Sequence, residues 1–150
     1  SQDELVNLAG FYNVFGDKSV GKKIYKEAYE KGLKDSIYYM GVIEFEEGNI
    51  EKAREYFKES AIKENRAEAQ IGYADKLKEE GNIEEAVKWY KKAAEQKEAR
   101  ALIELCSYYL DKRDIEKANE MVRRLKTTKG LKNYTLEYKK FAHEYKEMKE

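Results

Sequence analysis

Proline is absent from this chain, and cysteine, histidine and tryptophan occur once each. Without proline no helix is forced to kink or stop, so helix ends must come from glycine and polar caps. A single cysteine, Cys106, rules out an internal disulfide. Nothing therefore requires an oxidising compartment, and a disulfide-free exported protein is equally compatible. The compartment stays open, with the cytoplasm slightly favoured. The chain starts at Ser1 rather than at a methionine, so a tag remnant or a removed signal peptide is compatible with it, and a missing N-terminal segment could carry the address. No apolar stretch approaches the roughly 20 residues needed to cross a bilayer, so no membrane partner is expected. Thirty basic and thirty acidic side chains cancel, which removes the general attraction to a polyanion.

What is present is a repeat. Gly48-Asn49-Ile50-Glu51-Lys52-Ala53 returns as Gly81-Asn82-Ile83-Glu84-Glu85-Ala86 and as Arg113-Asp114-Ile115-Glu116-Lys117-Ala118, at steps of 33 and 32 residues. A period of that length describes paired helices that cannot bury their apolar faces alone and share one core by stacking. Within residues 67–98, Tyr73, Ala74 and Leu77 recur at helical spacing, Gly81 interrupts, and Ala86, Tyr90 and Ala93 resume it. Gly81 is expected to end the first helix in the left-handed conformation, Asn82 to cap the second, and Glu85 to reach back as a capping-box carboxylate. Gly48-Asn49, Asp114 without a glycine, and Gly16-Asp17 are expected to serve the same way.

Units aligned at Gln2, Lys34, Ala67 and Ala99 bring small residues into columns. Ala9, Gly41, Ala74 and Cys106 form one. Gly21, Ala53, Ala86 and Ala118 form the next, and Ala28, Ser60 and Ala93, followed by Leu125, form a third. Small side chains there let two helices approach to roughly 8 to 10 Å. Leu8, Met40, Tyr73 and Leu105, and Tyr25, Phe57, Tyr90 and Val122, are the large residues expected opposite them. Glu44 and Gln70 interrupt the pattern at core positions, and a local twist is expected to turn Glu44 out.

This arrangement resembles the tetratricopeptide repeat over residues 2 to about 125. The segment Trp89-Tyr90-Lys91-Lys92-Ala93-Ala94, followed by a short linker into Ala99-Arg100-Ala101, resembles the Sel1-like branch of that superfamily, although units of 32 to 33 residues are shorter than usual there. The resemblance implies an all-α chain, an α-solenoid forming a right-handed superhelix of about four helical hairpins closed by a C-terminal capping helix. The expectation is one repeat domain over residues 1–150, with repeats at about 2–33, 34–66, 67–98 and 99–130 and the cap at 131–150. Tyr134, Tyr138, Phe141, Tyr145 and Met148 would form the aromatic stripe of that cap.

Catalytic chemistry has little to work with, so no enzyme, metal or cofactor is expected. His143 has no orienting partner placed by sequence, Cys106 occupies a packing column, and Glu44, Glu46 and Glu47 are explained by a solvated run. Arg123, Arg124, Lys126, Lys129 and Lys132 crowd the last turn, but cations favour helix C-termini anyway, and nucleic acid is disfavoured as a partner. Binding then falls to the groove. In the tetratricopeptide family, ligands lie along the first helix of each pair. Carried onto this chain, the resemblance implies Val6 and Asn13, then Tyr38, Val42 and Phe45, then Ile71, Asp75 and Lys78, then Ile103, Ser107 and Leu110. Val6, Tyr38, Ile71 and Ile103 stand where the family's clamp for acidic chaperone tails carries lysine or arginine, which excludes that ligand. The expected function is a non-enzymatic interaction scaffold that takes a peptide or protein on a concave, largely apolar face with an acidic border. Self-association through residues 131–150 is the alternative, followed by an RNA-binding module at the basic end near Arg123.

Overall fold

The computed structural model describes residues 1–128 and 135–149. Every regular element among them is an α-helix. In chain order these are α1 (Gln2–Phe15), α2 (Lys18–Glu30), α3 (Ser36–Glu46), α4 (Ile50–Lys63), α5 (Ala67–Glu79), α6 (Ile83–Glu95), α7 (Ala99–Asp111), α8 (Ile115–Lys126) and α9 (Thr135–Lys149). Consecutive helices pair as hairpins. The chain divides into two compact units, Ser1–Ala69 and Gln70–Glu150. In the first, α1 packs on α2, α2 on α3, and α3 on α4. In the second, α6 packs on α7, α7 on α8, and α9 covers α7 and α8 as the expected cap. Phe141 is its buried anchor, whereas Leu136 and Met148 are exposed. Lys129, Lys132 and Tyr134 lie outside the described residues, as do the side chains of Tyr138 and Tyr145.

The small-residue columns lie at the helix crossings. Ala9, Ala74 and Cys106 are fully buried, as are Ala53, Ala118, Ala28, Ser60, Ala93 and Leu125. At Gly21 the approach is backbone to backbone: a Cβ there would stand 3.0 Å from the Ala9 carbonyl oxygen and 3.1 Å from the Asn13 nitrogen. At Gly41 it would stand 2.7 Å from the Phe57 ring. Met40, Leu105, Tyr25, Tyr90 and Val122 fill the opposing columns as buried side chains. Leu8 departs from the expectation, being 47% exposed. Its counterpart Met40 is buried in a cluster with Tyr25 of the preceding helix. Leu8 and Phe11 have no such cover among the described residues.

The turns at Gly48 and Gly81 are built as expected. Gly48 and Gly81 each have φ 82°. The Asn49 N–H donates to the Glu44 carbonyl at 2.9 Å and the Asn82 N–H to the Leu77 carbonyl at 2.8 Å, closing carbonyls that the helix ends leave open. Arg113 accepts the same left-handed backbone at φ 56°, and the Asp114 N–H donates to the Tyr109 carbonyl at 2.9 Å. Gly16 is an exception, with φ −130° and ψ −148°, so α1 ends without the left-handed residue.

Side-chain capping differs from turn to turn, and Asp35 before α3 makes none. Asp17 accepts from the Ser19 N–H at 2.8 Å and Asp114 from the Lys117 N–H at 3.2 Å. Asn49 and Asn82 make no side-chain cap. Their ψ of 66° falls short of the extended backbone an N-cap takes, 111° at Asp17. Glu85, expected to reach back toward α6, pairs instead with Lys88 at 3.0 Å.

The twist expected at Glu44 does not occur. Glu44 is 3% exposed and stays in the core register. Its carboxylate is held by the Lys52 ammonium at 2.9 Å and by the Asn49 amide at 2.9 Å. Gln70, also fully buried, accepts from the Gln96 amide at 3.0 Å. Burying a polar group is tolerated when partners replace water.

Two predictions follow from these contacts. Gly21→Ala should lower stability by about 1–2 kcal/mol after its gain in helix propensity is deducted. Gly72→Ala, where a Cβ meets nothing within 4 Å, should raise it by about 0.5–1 kcal/mol; urea unfolding of both variants reads the difference in sign. The second concerns Glu44, whose pKa is lowered below its ordinary 4.5 first by the Lys52 hydrogen bond, against the opposing effect of burial. A depressed carboxylate stabilises the fold above that ordinary value and loses its contribution as pH falls through the lower folded one. Lys52→Met should therefore destabilise the fold at neutral pH, and the loss should shrink as pH falls below the ordinary carboxylate range and Glu44 takes up a proton. Thermal melting across pH 3 to 7 checks this.

Candidate partner-binding site

The first-helix residues implied as a groove fall into two chemically different groups. In the first unit, Tyr38, Val42 and Phe45 occupy successive turns of one face of α3. Phe45 is 57% exposed, while Tyr38 and Val42 are partly buried. Tyr38 is fixed from several sides. The Arg66 guanidinium lies 4.1 Å over its ring centroid, and the Phe57 ring stands at 5.7 Å. Arg66 is in turn paired with Asp35 at 3.3 Å and Glu68 at 3.3 Å. Behind it, the Glu64 carboxylate accepts from the Ile37 and Tyr38 N–H groups at 3.0 and 3.2 Å, placing an anion at the N-terminus of α3. Val6 and Asn13 are partly buried on α1.

In the second unit the implied face is polar above an apolar floor. Ile71, Ile103 and Leu110 are buried and act in packing. Asp75 anchors a lattice: it accepts from the Tyr90 hydroxyl at 2.5 Å and from Arg100 at 2.8 Å. Arg100 also lies 3.6 Å from Glu104, which takes Lys78 at 2.7 Å. Burial, and then the Asp75 hydrogen bond, push the Tyr90 phenol far above its ordinary range, so it remains a donor. Lys78 and Ser107 border a concavity of about 280 Å³ between α5, α6 and α7, with Asp111 on its rim.

Sequence reading did not single out Arg66, Arg100 and Glu104 as site residues. Arg100 meets Asp75 across 25 positions and Glu104 meets Lys78 across 26, offsets that the 32-to-33-residue period does not mark. Tyr90 was expected only as core, and its hydroxyl partner on the neighbouring helix leaves no sequence signal.

The remaining candidates for chemistry have structural roles. Cys106 is buried, its Sγ faces the Ala118 carbonyl at 3.8 Å, and burial pushes its thiol up to about 12, far from a thiolate at neutral pH. His143 is exposed beside Glu147 at 3.5 Å. Arg124 of the basic end donates to the Ala94 carbonyl at 2.9 Å and so ties α8 to α6. Among the described residues no group of three or more His, Cys, Asp or Glu side chains is placed to hold a metal ion. Nor is any of their helices long and apolar enough to cross a membrane.

Consecutive helical hairpins with small residues at their crossings define a helical-repeat protein. Residues 35–65 and 67–98 each match the model of the Sel1 repeat, and these segments coincide with the hairpins α3–α4 and α5–α6. Residues 35–98 thus carry two Sel1-like repeats of the tetratricopeptide superfamily. No curated protein matches it. Repeats of this class form non-enzymatic scaffolds that bind protein or peptide partners, and that is the coarse function this architecture supports.

Proposed function

We propose that the chain captures a peptide or protein segment on the concave, first-helix faces of its repeats, with Tyr38, Val42 and Phe45 as the apolar contact in the first unit. Val6 and Asn13 extend that contact. Asp75, Lys78 and Ser107 supply the polar contact in the second unit, over the floor of Ile71, Ile103 and Leu110. The observation that carries this reading is the state of α3. A matched Sel1 repeat leaves a phenylalanine 57% exposed on its first helix, next to a tyrosine ring held by the Arg66 guanidinium. A rigid aromatic contact costs little conformational entropy when a ligand docks. Acidic groups border both faces, so a ligand with apolar anchors and basic flanks is the complementary class.

Phe45→Ala should leave stability within about 0.5 kcal/mol of the parent, because the ring is largely in solvent. Adding Tyr38→Ala removes the ring beneath Arg66 and should cost about 1 kcal/mol of fold stability. Capture of partners from native cell extract, read by mass spectrometry, should fall to background for the double variant. Undiminished capture by a folded double variant would remove α3 from the binding face.

A further inference from the structure

A shift of 65 residues carries the first two repeats onto the last two, since Ala67 follows Gln2 and Ala99 follows Lys34 by that number. The same shift carries one crevice onto another. Asn13, Lys18, Ser19 and Lys22 border a crevice of about 260 Å³ with Ile43, Glu46 and Glu47. Each of them maps onto a residue lining the concavity of about 280 Å³ between α5, α6 and α7. Two places in the fold with one register therefore have nearly one size, and they differ in chemistry.

In the first crevice the chain's own cations answer the glutamates. Lys18 lies 3.9 Å from Glu46, and Lys22 lies 2.6 Å from Glu47. In the second, the residues at the two lysine registers are Ile83 and Val87, and those at the two glutamate registers are Asp111 and Lys112. Both ion pairs are gone. Asp111 keeps the acidic position of Glu46 but makes no ion pair among the described residues, while Lys112 is turned over the Tyr108 ring at 5.7 Å. Ile83 is 38% exposed. Lys78 is taken up by Glu104 at 2.7 Å, and Glu84 accepts from the Tyr108 hydroxyl at 3.3 Å. What remains is an apolar wall with an unanswered carboxylate on its rim.

From this pairing we infer that the α5–α6–α7 crevice is a socket for a basic peptide segment, one apolar side chain packing on Ile83 and Val87 while a neighbouring lysine or arginine of the ligand meets Asp111. The Lys18–Glu46 pair shows where that cation sits, because the first crevice supplies in its own chain what the second leaves to a partner. The volume suits a single large side chain and lies below the usual range of sites for whole small-molecule ligands. The Tyr90–Asp75–Arg100–Glu104 lattice braces the wall, so the socket is preformed. The inference rests on the peptide-binding reading above and adds a second, chemically distinct contact to it.

The test is an NMR titration of the full chain with a blocked peptide carrying one leucine between two lysines. Amide shifts should concentrate at Ile83, Val87, Ser107 and Asp111 and be missing at Lys18, Lys22 and Glu46. Replacing the leucine by alanine should weaken binding about tenfold or more, and replacing both lysines by glutamates should do at least the same. Ile83→Lys, which rebuilds the cation of the first crevice against Asp111, should abolish the response. Asp111→Asn leaves the wall intact and should erase the preference for the lysine over the glutamate peptide, which keeps the test decisive even where Ile83→Lys misfolds. Equal shifts at both crevices, shifts scattered over the surface, or an unaltered response in folded Ile83→Lys would overturn the socket. A flat titration beside native capture that still depends on Tyr38 and Phe45 would overturn the socket alone and leave the wider reading standing.

Discussion

Close approach of helix backbones at positions without bulk is the constraint on which the structure depends. At Gly21 there is no room for one more carbon between α2 and the backbone of α1. The buried alanines at the same register in later hairpins, Ala53, Ala86 and Ala118, repeat the crossing with one methyl group each. Tight crossings push the large side chains to either side, where Tyr25, Met40, Tyr90 and Leu105 interdigitate and recover dispersion contacts that a looser pair would lose. Hairpin geometry follows from the crossings, and the faces offered to a partner follow from hairpin geometry.

The repeat was legible because the crossings demand the same residue sizes every time. Glycine at the turns was legible too, since Gly48 and Gly81 stand where a left-handed residue ends a helix and the structure places φ at 82° in both. The caps were less so. Asparagine and aspartate look alike in a pattern, yet only the extended backbone at Asp17 and the charged side chain at Asp114 deliver the bond. Glu44 was misread for a related reason. A carboxylate in a core column suggests a twist, but Lys52 on the next helix and Asn49 in the turn before it satisfy it where it is.

The candidate site was legible only as positions. Family registers place Phe45 and Lys78 on first helices, and both are exposed there. The same registers place Ile71, Ile103 and Leu110 in the core, because a face position in a short repeat also meets its neighbours. Charge networks such as Asp75–Arg100–Glu104–Lys78 escape a sequence reading because their spacing follows side-chain reach and not the repeat. Comparing one repeat with its counterpart in the structure recovers part of what the pattern hides. Registers that carry lysines in one crevice carry isoleucine and valine in the other, and the ion pairs of the first have no counterpart in the second.

The most direct measurement of the central claim is the equilibrium unfolding of Ala53→Leu, which adds bulk at a fully buried crossing in a matched Sel1 repeat. Forcing those methylenes between α3 and α4 should cost about 1–3 kcal/mol or more, despite the good helix propensity of leucine. Stability equal to the parent, with the helical signal intact, would show that the crossings tolerate bulk and would contradict the account.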